Sequence, residues 1–406
     1  MKIALLYFPI SKTGGIDTWL TNLRKGFDAI GVQHKTFDLK LNSNDFFGFR
    51  NKQDYQRIIN EYDAAIFVHA CPHLNKTYDS MKWLECYDIT TKRIAVFHDA
   101  MAKYQYAWVG KAPIDVAVAV QDRCLISIDE MGGRCKTALI RHPVDLSEMG
   151  MYSERKKDQA LMANQFKSWK NNDVVIKAIP DMNLTTHVFN AGTEMFYMRR
   201  AGYPFEDFHD KGFEGISKAT KLLRDAINNG GVPRGPDMIF VKYHKYGDIW
   251  KKAVDSGKFV YHGIGRSYGL APRSELIDCF KDSKAVIDMS SVEHHARLGN
   301  DKRMSGINYA VLEGISMGCV PIVTKWALQK PWGWDNFVVT HGMSEDLVLC
   351  VNALDYDAWK IKLITNQNIL KQNYDCTEIA SQFKSVVDNT YDNYVKNNQV
   401  SMEKWF

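Results

Sequence analysis

Short apolar runs recur along the chain, and most are followed by segments whose apolar residues return every three or four positions. The first run, "KIALLYFP" (2–9), has the pattern of a buried strand. A loop with Gly14-Gly15 follows. "IDTWLTNLRKGFDAIG" then places Trp19, Leu20, Leu23, Phe27 and Ile30 on one helical face, and Gly31 stops it. "HKTFDL", "YDAAIFVHA" (62–70), "KRIAVFHDA" (92–100), "VAVAVQD" and "KTALIRHPVD" continue the strands, separated by helical segments. This alternation predicts a doubly wound α/β domain with a parallel sheet, and ligands belong at the carboxyl ends of its strands.

A charged segment, "SERKKDQ" (153–159), reads as an interdomain linker, and a second α/β series follows it. Its strands are "ALMANQ", "THVFNAG", "FVYHGI", "KAVIDMS", "VPIVT" and "NFVVT", with a helix beginning near Asn171. The expected domains are 1–152 and 153–384. Residues 203–252, rich in Gly, Pro and charge, read as an insertion in the second. The segment 379–406 reads as helical from the spacing of Phe383, Tyr391 and Tyr394, and its end (about 385–406) is expected to pack back on the first domain. Two such domains in tandem, neither with a GxGxxG dinucleotide fingerprint, predict a ligand held in a cleft that they face.

The bulk numbers constrain partners only loosely. A chain of 406 residues exceeds one ordinary core, and 45% apolar with 24% charged residues is the balance of a water-soluble protein. No run is long enough to span a bilayer, and Asp17 and Arg24 interrupt the N-terminal apolar region, so neither a signal peptide nor a membrane helix is expected. The eight cysteines (71, 86, 124, 135, 279, 319, 350 and 376) form no CxxC pair and no obvious metal spacing. They read as thiols of a reducing cytoplasm. A net charge of +5 permits a polyanionic partner without requiring one.

Candidate chemistry clusters at strand ends. Gly14 and Gly15, between strand and helix, let backbone amides approach a phosphate, although such a pair also serves as a plain turn. His98 and Asp99 follow a buried strand. A carboxylate there can orient the histidine or accept a proton from a hydroxyl, and a polar strand end that only caps a turn has the same appearance. In "NQFKSWKNNDVV", Lys167 and Lys170 flank Trp169. A cation in this loop stabilises a diphosphate as its charge grows, and the alternative is a solvated loop. "INYAVLEGISMGCVPIVT" runs from helix to strand with one carboxylate, Glu313, among Leu312, Ile315 and Met317. Ser305 and Gly306 precede that helix, and Ile307 and Asn308 lead into it, where free amides form an anion site. Glu313 could accept from vicinal ribose hydroxyls, and the alternative is an exposed helix glutamate; an unpaired buried carboxylate is costly, so a polar ligand is a reasonable partner. Aromatic-basic stretches suit a nucleic acid with extruded bases: Lys103, Tyr104, Tyr106, Trp108 and Lys111 in one, and Phe46, Phe47, Phe49, Arg50 and Lys52 in another. Packed aromatic faces with solvated lysines give the same pattern.

Together, Gly14-Gly15 after the first strand, His98 after the fourth, the basic loop opening the second domain and "LEGISMGCVPIV" resemble the retaining GT-B glycosyltransferases of the glycogen-synthase-like type. In that family the last motif carries two glutamates eight apart; Glu313 matches the second, and Ser305 stands at the first. "VFHDAM", "KSWK", "VFNAGTEMFYMRRAGYP", "LAPRSELIDCFKDS" and "YAVLEGISMGCVPIV" are similar to blocks of the DNA α-glucosyltransferases of T-even bacteriophage. Gln165 replaces an arginine there, with Lys167 close by. The resemblance implies a GT-B fold and retaining transfer from a UDP-sugar (UDP-glucose or a UDP-pentose) to 5-hydroxymethylcytosine in double-stranded DNA. It implies no required metal and a soluble monomer in the host bacterial cytoplasm. Glu313 would hold the ribose; Lys170, Lys167, Gln165 and the amides at Gly14, Gly15 and 305–308 would hold the diphosphate. His98 and Asp99 would face the acceptor. Two other readings remain: transfer to a cell-surface glycan or lipid, and a non-catalytic nucleotide-sugar or DNA-binding module.

Overall fold

The computed structural model describes residues 1–7, 15–39, 45–69, 84–98, 112–122, 124–125, 128, 135–147, 149, 156–164, 170–190, 247–264, 273–290, 307–327, 332 and 334–395. The chain divides into two compact units. The first takes in Met1–Leu146 and Lys371–Phe406, and the second Ser147–Gly299 and Ser305–Leu370.

In the first unit, β1 (Lys2–Tyr7), β2 (Gln33–Asp38), β3 (Ala64–Phe67), β4 (Lys92–Phe97), β5 (Val116–Ala119) and β6 (Lys136–Leu139) are all parallel. β3 and β5 are buried at every position, as a sheet covered on both faces requires. α1 (Gly15–Ala29) turns Trp19, Leu20, Leu23 and Phe27 inward, and α2 (Lys52–Ile59) adds Tyr55 and Ile59. Asn51 caps α2 by accepting from the Asp54 amide.

The second unit carries β7 (Lys157–Asn164), α3 (Asn172–Ala178), β8 (Thr185–Asn190), α4 (Gly247–Asp255), β9 (Phe259–Ile264), α5 (Arg273–Asp282) and β10 (Ser283–Asp288). It continues with α6 (Tyr309–Ser316), β11 (Val320–Thr324), β12 (Val338–Thr340) and α7 (Ser344–Asn352). Its strands are parallel in the order β12-β11-β10-β7-β8-β9. α6 lies unusually close to β10: a Cβ on Gly314 would stand 2.6 Å from Val286 Cγ1, so the helix needs glycine at this point. The expected linker at 153–159 is corrected in its second half, because β7 begins at Lys157. Exposed Lys157 and Asp158 belong to that strand and pair with Asp282 and Lys284, each at 2.6 Å. Lys156 is buried, its ammonium donating to the carbonyls of Phe280, Ser283 and Met317.

α8 (Lys360–Tyr374) brings the chain back to the first unit, where α9 (Cys376–Val387) packs on α1. A Cβ at Gly26 would meet the Cys376 carbonyl at 2.1 Å, so that crossing also depends on glycine. The Trp19 and Phe383 rings meet edge-on at 5.8 Å. The helix expected over 379–406 ends instead at Val387. Asn389 adopts a left-handed conformation, and Lys92 Nζ donates to the last carbonyls of α9, at Val386 and Val387. The chain then forms β13 (Tyr394–Val395), antiparallel to β6, completing the order β13-β6-β5-β4-β3-β1-β2. Among the described residues no helix is long and apolar enough to cross a membrane.

Candidate functional site

Topology selects one edge of each sheet. In the second sheet the chain builds outward from β7 through β8 and β9, then returns to build β10, β11 and β12 on the other side. In open α/β sheets ligands bind at such a reversal, which here falls at the carboxyl ends of β7 and β10. Asn164 ends β7 and Asp288 ends β10, and both are buried. Asn164 Nδ2 donates to Asp288 Oδ1 at 3.2 Å, and the Ser290 amide donates to the same oxygen at 3.1 Å. Asn308, the residue before α6, closes the cluster by donating from Nδ2 to Asn164 Oδ1. The other Asp288 oxygen is enclosed and has no hydrogen-bond partner among the described residues.

Glu313 sits on α6 beside this cluster and is 6% exposed. The expectation that it is unpaired is corrected here: Arg273, the first residue of α5, donates from Nη2 to Glu313 Oε1 at 2.5 Å. The pairing removes the desolvation argument for a ligand and fixes where the carboxylate stands. Arg273 Nη1 is itself enclosed without a hydrogen-bond partner among the described residues. Sequence reasoning assigned Arg273 no role. Its only local signal is a cation opening a helix, which is common, and its partner lies 40 residues away.

Lys170 is half-buried on the turn after β7 and forms no ion pair among the described residues. The next residue, Asn171, is left-handed at φ 47° and donates from Nδ2 to the Met289 carbonyl at 3.0 Å. That bond ties the lysine's turn to the carboxyl end of β10. Lys170, Asn308 and Glu313 therefore all belong to elements anchored around one strand edge.

In the first sheet the reversal lies between β1 and β3. Tyr7 ends β1 and donates to Asp17 Oδ1 at 2.6 Å, joining the strand end to the first turn of α1, which Gly15 opens. Burial and the Asp17 carboxylate raise the Tyr7 phenol well above its ordinary value, so it stays a donor. His98 follows β4 and is buried; its Nε2 meets the Val68 carbonyl at 2.7 Å, so that nitrogen carries the proton. Trp19 meets its ring edge-on at 5.0 Å. Two further imidazoles gather here that sequence reasoning missed: His69, stacked at 5.6 Å, and His142 at 6.2 Å. Burial, then the neighbouring His98 and Arg141, lower the His142 pKa well below its ordinary value. Three strand ends (β3, β4 and β6) thus place imidazoles together, which strand spacing alone does not reveal.

Gly14, Asp99, Lys103, Tyr104, Tyr106, Trp108, Lys111, Gln165, Lys167, Ser305 and Gly306 lie outside the described residues. Ile307 is buried just before Asn308. In the other aromatic-basic stretch, Phe47 is buried, and Phe46 and Phe49 bridge each other through their backbones while their rings pack on Tyr55. Phe47 is core and not offered for base stacking, while Phe46 and Phe49 are partly buried against it. Lys52 pairs with Asp88 at 2.7 Å, and Arg50 is exposed.

No family model matches the chain, and no curated protein matches it. Solved structures do. Anabaena Alr3699/HepE in complex with UDP-glucose superposes with a TM-score of 0.62 at 12% identity, covering 96% of this chain and 100% of that one. An alpha-glucosyltransferase in complex with UDP-glucose and DNA containing an abasic site gives 0.59 at 10% identity, covering 95% and 99%. The pneumococcal O-GlcNAc transferase GtfA in complex with UDP and GlcNAc gives 0.53 at 10%, covering 96% and 99%. Likeness at this identity establishes the architecture: the chain has the GT-B fold, with two Rossmann-like α/β domains.

Proposed function

We propose that the protein is a glycosyltransferase that takes its sugar from a UDP-sugar and delivers it to the hydroxymethyl group of 5-hydroxymethylcytosine in duplex DNA, with retention of anomeric configuration. The observation that carries the donor half is the polar cluster at the β7/β10 switch point, on the fold shared with three proteins whose complexes hold UDP or UDP-glucose. Glu313, positioned by Arg273, accepts from the ribose hydroxyls. Lys170, the amides opening α6 and, beyond the described residues, Gln165 and Lys167 carry the diphosphate, whose charge rises as the glycosidic bond breaks. Gly14 and Gly15 add amides from the first unit.

The acceptor half rests on the resemblance of sequence blocks to DNA α-glucosyltransferases and on the likeness to a glucosyltransferase crystallised with DNA. His98, fixed by Val68 and Trp19, stands at a strand end of the first unit, and Asp99 follows it. In this assignment Asp99 orients the acceptor hydroxyl. The attacking oxygen forms the new bond to the anomeric carbon on the face from which UDP leaves, and the hydroxyl proton passes to Asp99 or to the departing phosphate oxygen. DNA is engaged by Lys103, Tyr104, Tyr106, Trp108, Lys111 and Arg50, with Lys52 contributing once released from Asp88.

The test is incubation of the protein with a panel of UDP-sugars and duplex DNA containing 5-hydroxymethylcytosine, followed by nucleoside mass spectrometry. The proposal expects a hexosyl or pentosyl adduct on the modified nucleoside. UDP release with no change in any nucleoside contradicts the DNA acceptor, and absence of both products contradicts the activity.

A further inference from the structure

Three side chains of the second unit converge away from the β7/β10 cluster. His187 is on β8, His262 on β9 and Cys279 on α5, and their ligand atoms all lie within 4.8 Å of one another. We propose that these residues form a binding site for a divalent transition-metal ion of the zinc class, with water as a fourth ligand.

The backbone is shaped for this convergence. β8 and β9 run in parallel register from His187 opposite Val260 to Val188 opposite Tyr261, and then the register slips so that Phe189 faces Gly263. His262 is the residue inserted at the slip. A bulge re-aims one side chain, and here it brings the His262 ring to His187, with Nε2 to Nδ1 at 2.8 Å.

The surroundings then fix which nitrogen is exposed to a ligand. Glu275, one turn before Cys279 on α5, lies 2.5 Å from His262 Nδ1. That nitrogen donates its proton to the carboxylate, so the Nε2 lone pair points at the cluster. A carboxylate behind a histidine is the usual support of a metal-ligating imidazole, since it sets the tautomer and raises ligand basicity. Phe189 lies flat on the His262 ring, 4.1 Å between centroids and 4° from parallel, which sets the ring plane.

Two neutral imidazoles and a thiolate are the donor set of a tetrahedral zinc or cobalt site. Metal–nitrogen bonds of about 2.0–2.1 Å and a metal–sulfur bond of about 2.3 Å place tetrahedral ligand atoms roughly 3.3–3.6 Å apart. The two nitrogens must therefore separate by about half an ångström from 2.8 Å, and the sulfur must close in. Both are side-chain rotations. His187 moves its proton to Nε2, Cys279 releases its thiol proton to solvent, and a single proton is lost per ion bound. The same ion pins α5, whose first residue is Arg273, the partner of Glu313.

The experiment uses the full chain freed of metal by a chelator, then titrated with cobalt(II) and followed by visible and near-ultraviolet absorption. A single equivalent is expected to bind, with the intense d–d bands of a tetrahedral ion and a thiolate-to-cobalt charge-transfer band. Zinc displaces the cobalt. Cys279→Ser removes the charge-transfer band, and Glu275→Gln weakens cobalt binding about 10–100-fold, the usual effect of losing a carboxylate behind a ligating histidine. Circular dichroism of the metal-free variants, matching the metal-free parent, shows that both are folded. Absence of a tetrahedral cobalt spectrum in the parent overturns the proposal, and so does a charge-transfer band that survives Cys279→Ser.

Discussion

Replacing Glu313 by alanine separates what the residue does for the fold from what it does for a ligand. In the fold its side chain pairs with Arg273, whose side chain is 39% exposed while that of Glu313 is 8%. Breaking a fully enclosed ion pair costs about 3–5 kcal/mol, because the survivor is stranded without solvent. Arg273 can instead turn its guanidinium to water, so we expect the loss in stability to stay near 1–2 kcal/mol. For the donor, two charge-assisted hydrogen bonds to ribose hydroxyls at about 1.5 kcal/mol each total roughly 3 kcal/mol, or about 100-fold in UDP affinity. Isothermal titration of UDP into the parent and Glu313→Ala, with urea denaturation of each, reads both quantities. Arg273→Met is the companion variant: it leaves the carboxylate in place but loosens it, and a smaller loss of affinity is expected. A Glu313→Ala protein that binds UDP within about twofold of the parent would refute the ribose assignment, whatever its stability.

The other predictions use different readouts. Lys170→Ala is expected to lower kcat about 10²–10³-fold by removing charge stabilisation from the departing diphosphate; steady-state kinetics with an unchanged kcat would exclude that role. Asp99→Ala is expected to abolish transfer while UDP titrations remain those of the parent, and normal turnover would dismiss its carboxylate. Gly314→Ala forces a methyl group against Val286, 2.6 Å from Cγ1, and is expected to cost about 1–3 kcal/mol in urea denaturation, partly recovered by Val286→Ala. His187 supplies the pH prediction. Its folded pKa of about 4 lies below its ordinary value of 6.5, so the unfolded chain binds the extra proton between these limits. Stability is full above about pH 6.5 and falls as the pH drops toward 4. Because the ring is partly exposed, we expect a loss of no more than about 2 kcal/mol. In chelator-treated protein, His187→Gln should flatten this slope in urea midpoints, and an unaltered slope would assign it to other groups.

The central strands were legible in the sequence because a parallel sheet buried on both faces writes them as unbroken apolar runs. "AAIF" and "VAVA" leave no other reading. α1 was legible from the spacing of Trp19, Leu23 and Phe27. The start of β7 was not, since Lys157 and Asp158 are charged strand residues satisfied by partners more than 120 positions away. The C-terminal segment misled for a related reason. Tyr391 and Tyr394 have helical spacing, but the left-handed Asn389 ends the helix and Tyr394 pairs with β6. Glu313 could be singled out as a carboxylate on an apolar helix; its pairing with Arg273 could not, because that contact exists only after α5 and α6 are placed. The imidazoles His69, His98 and His142, and the trio His187, His262 and Cys279, are likewise products of strand order and of one bulge.

Every role assigned above depends on where the donor nucleotide binds, and a crystal structure of the protein with UDP tests this most directly. Ribose hydroxyls hydrogen-bonded to Glu313, and phosphates at the start of α6 within reach of Lys170, are the expected arrangement. Uridine bound among His69, His98 and His142 in the first unit, or anywhere apart from the carboxyl ends of β7 and β10, would contradict it.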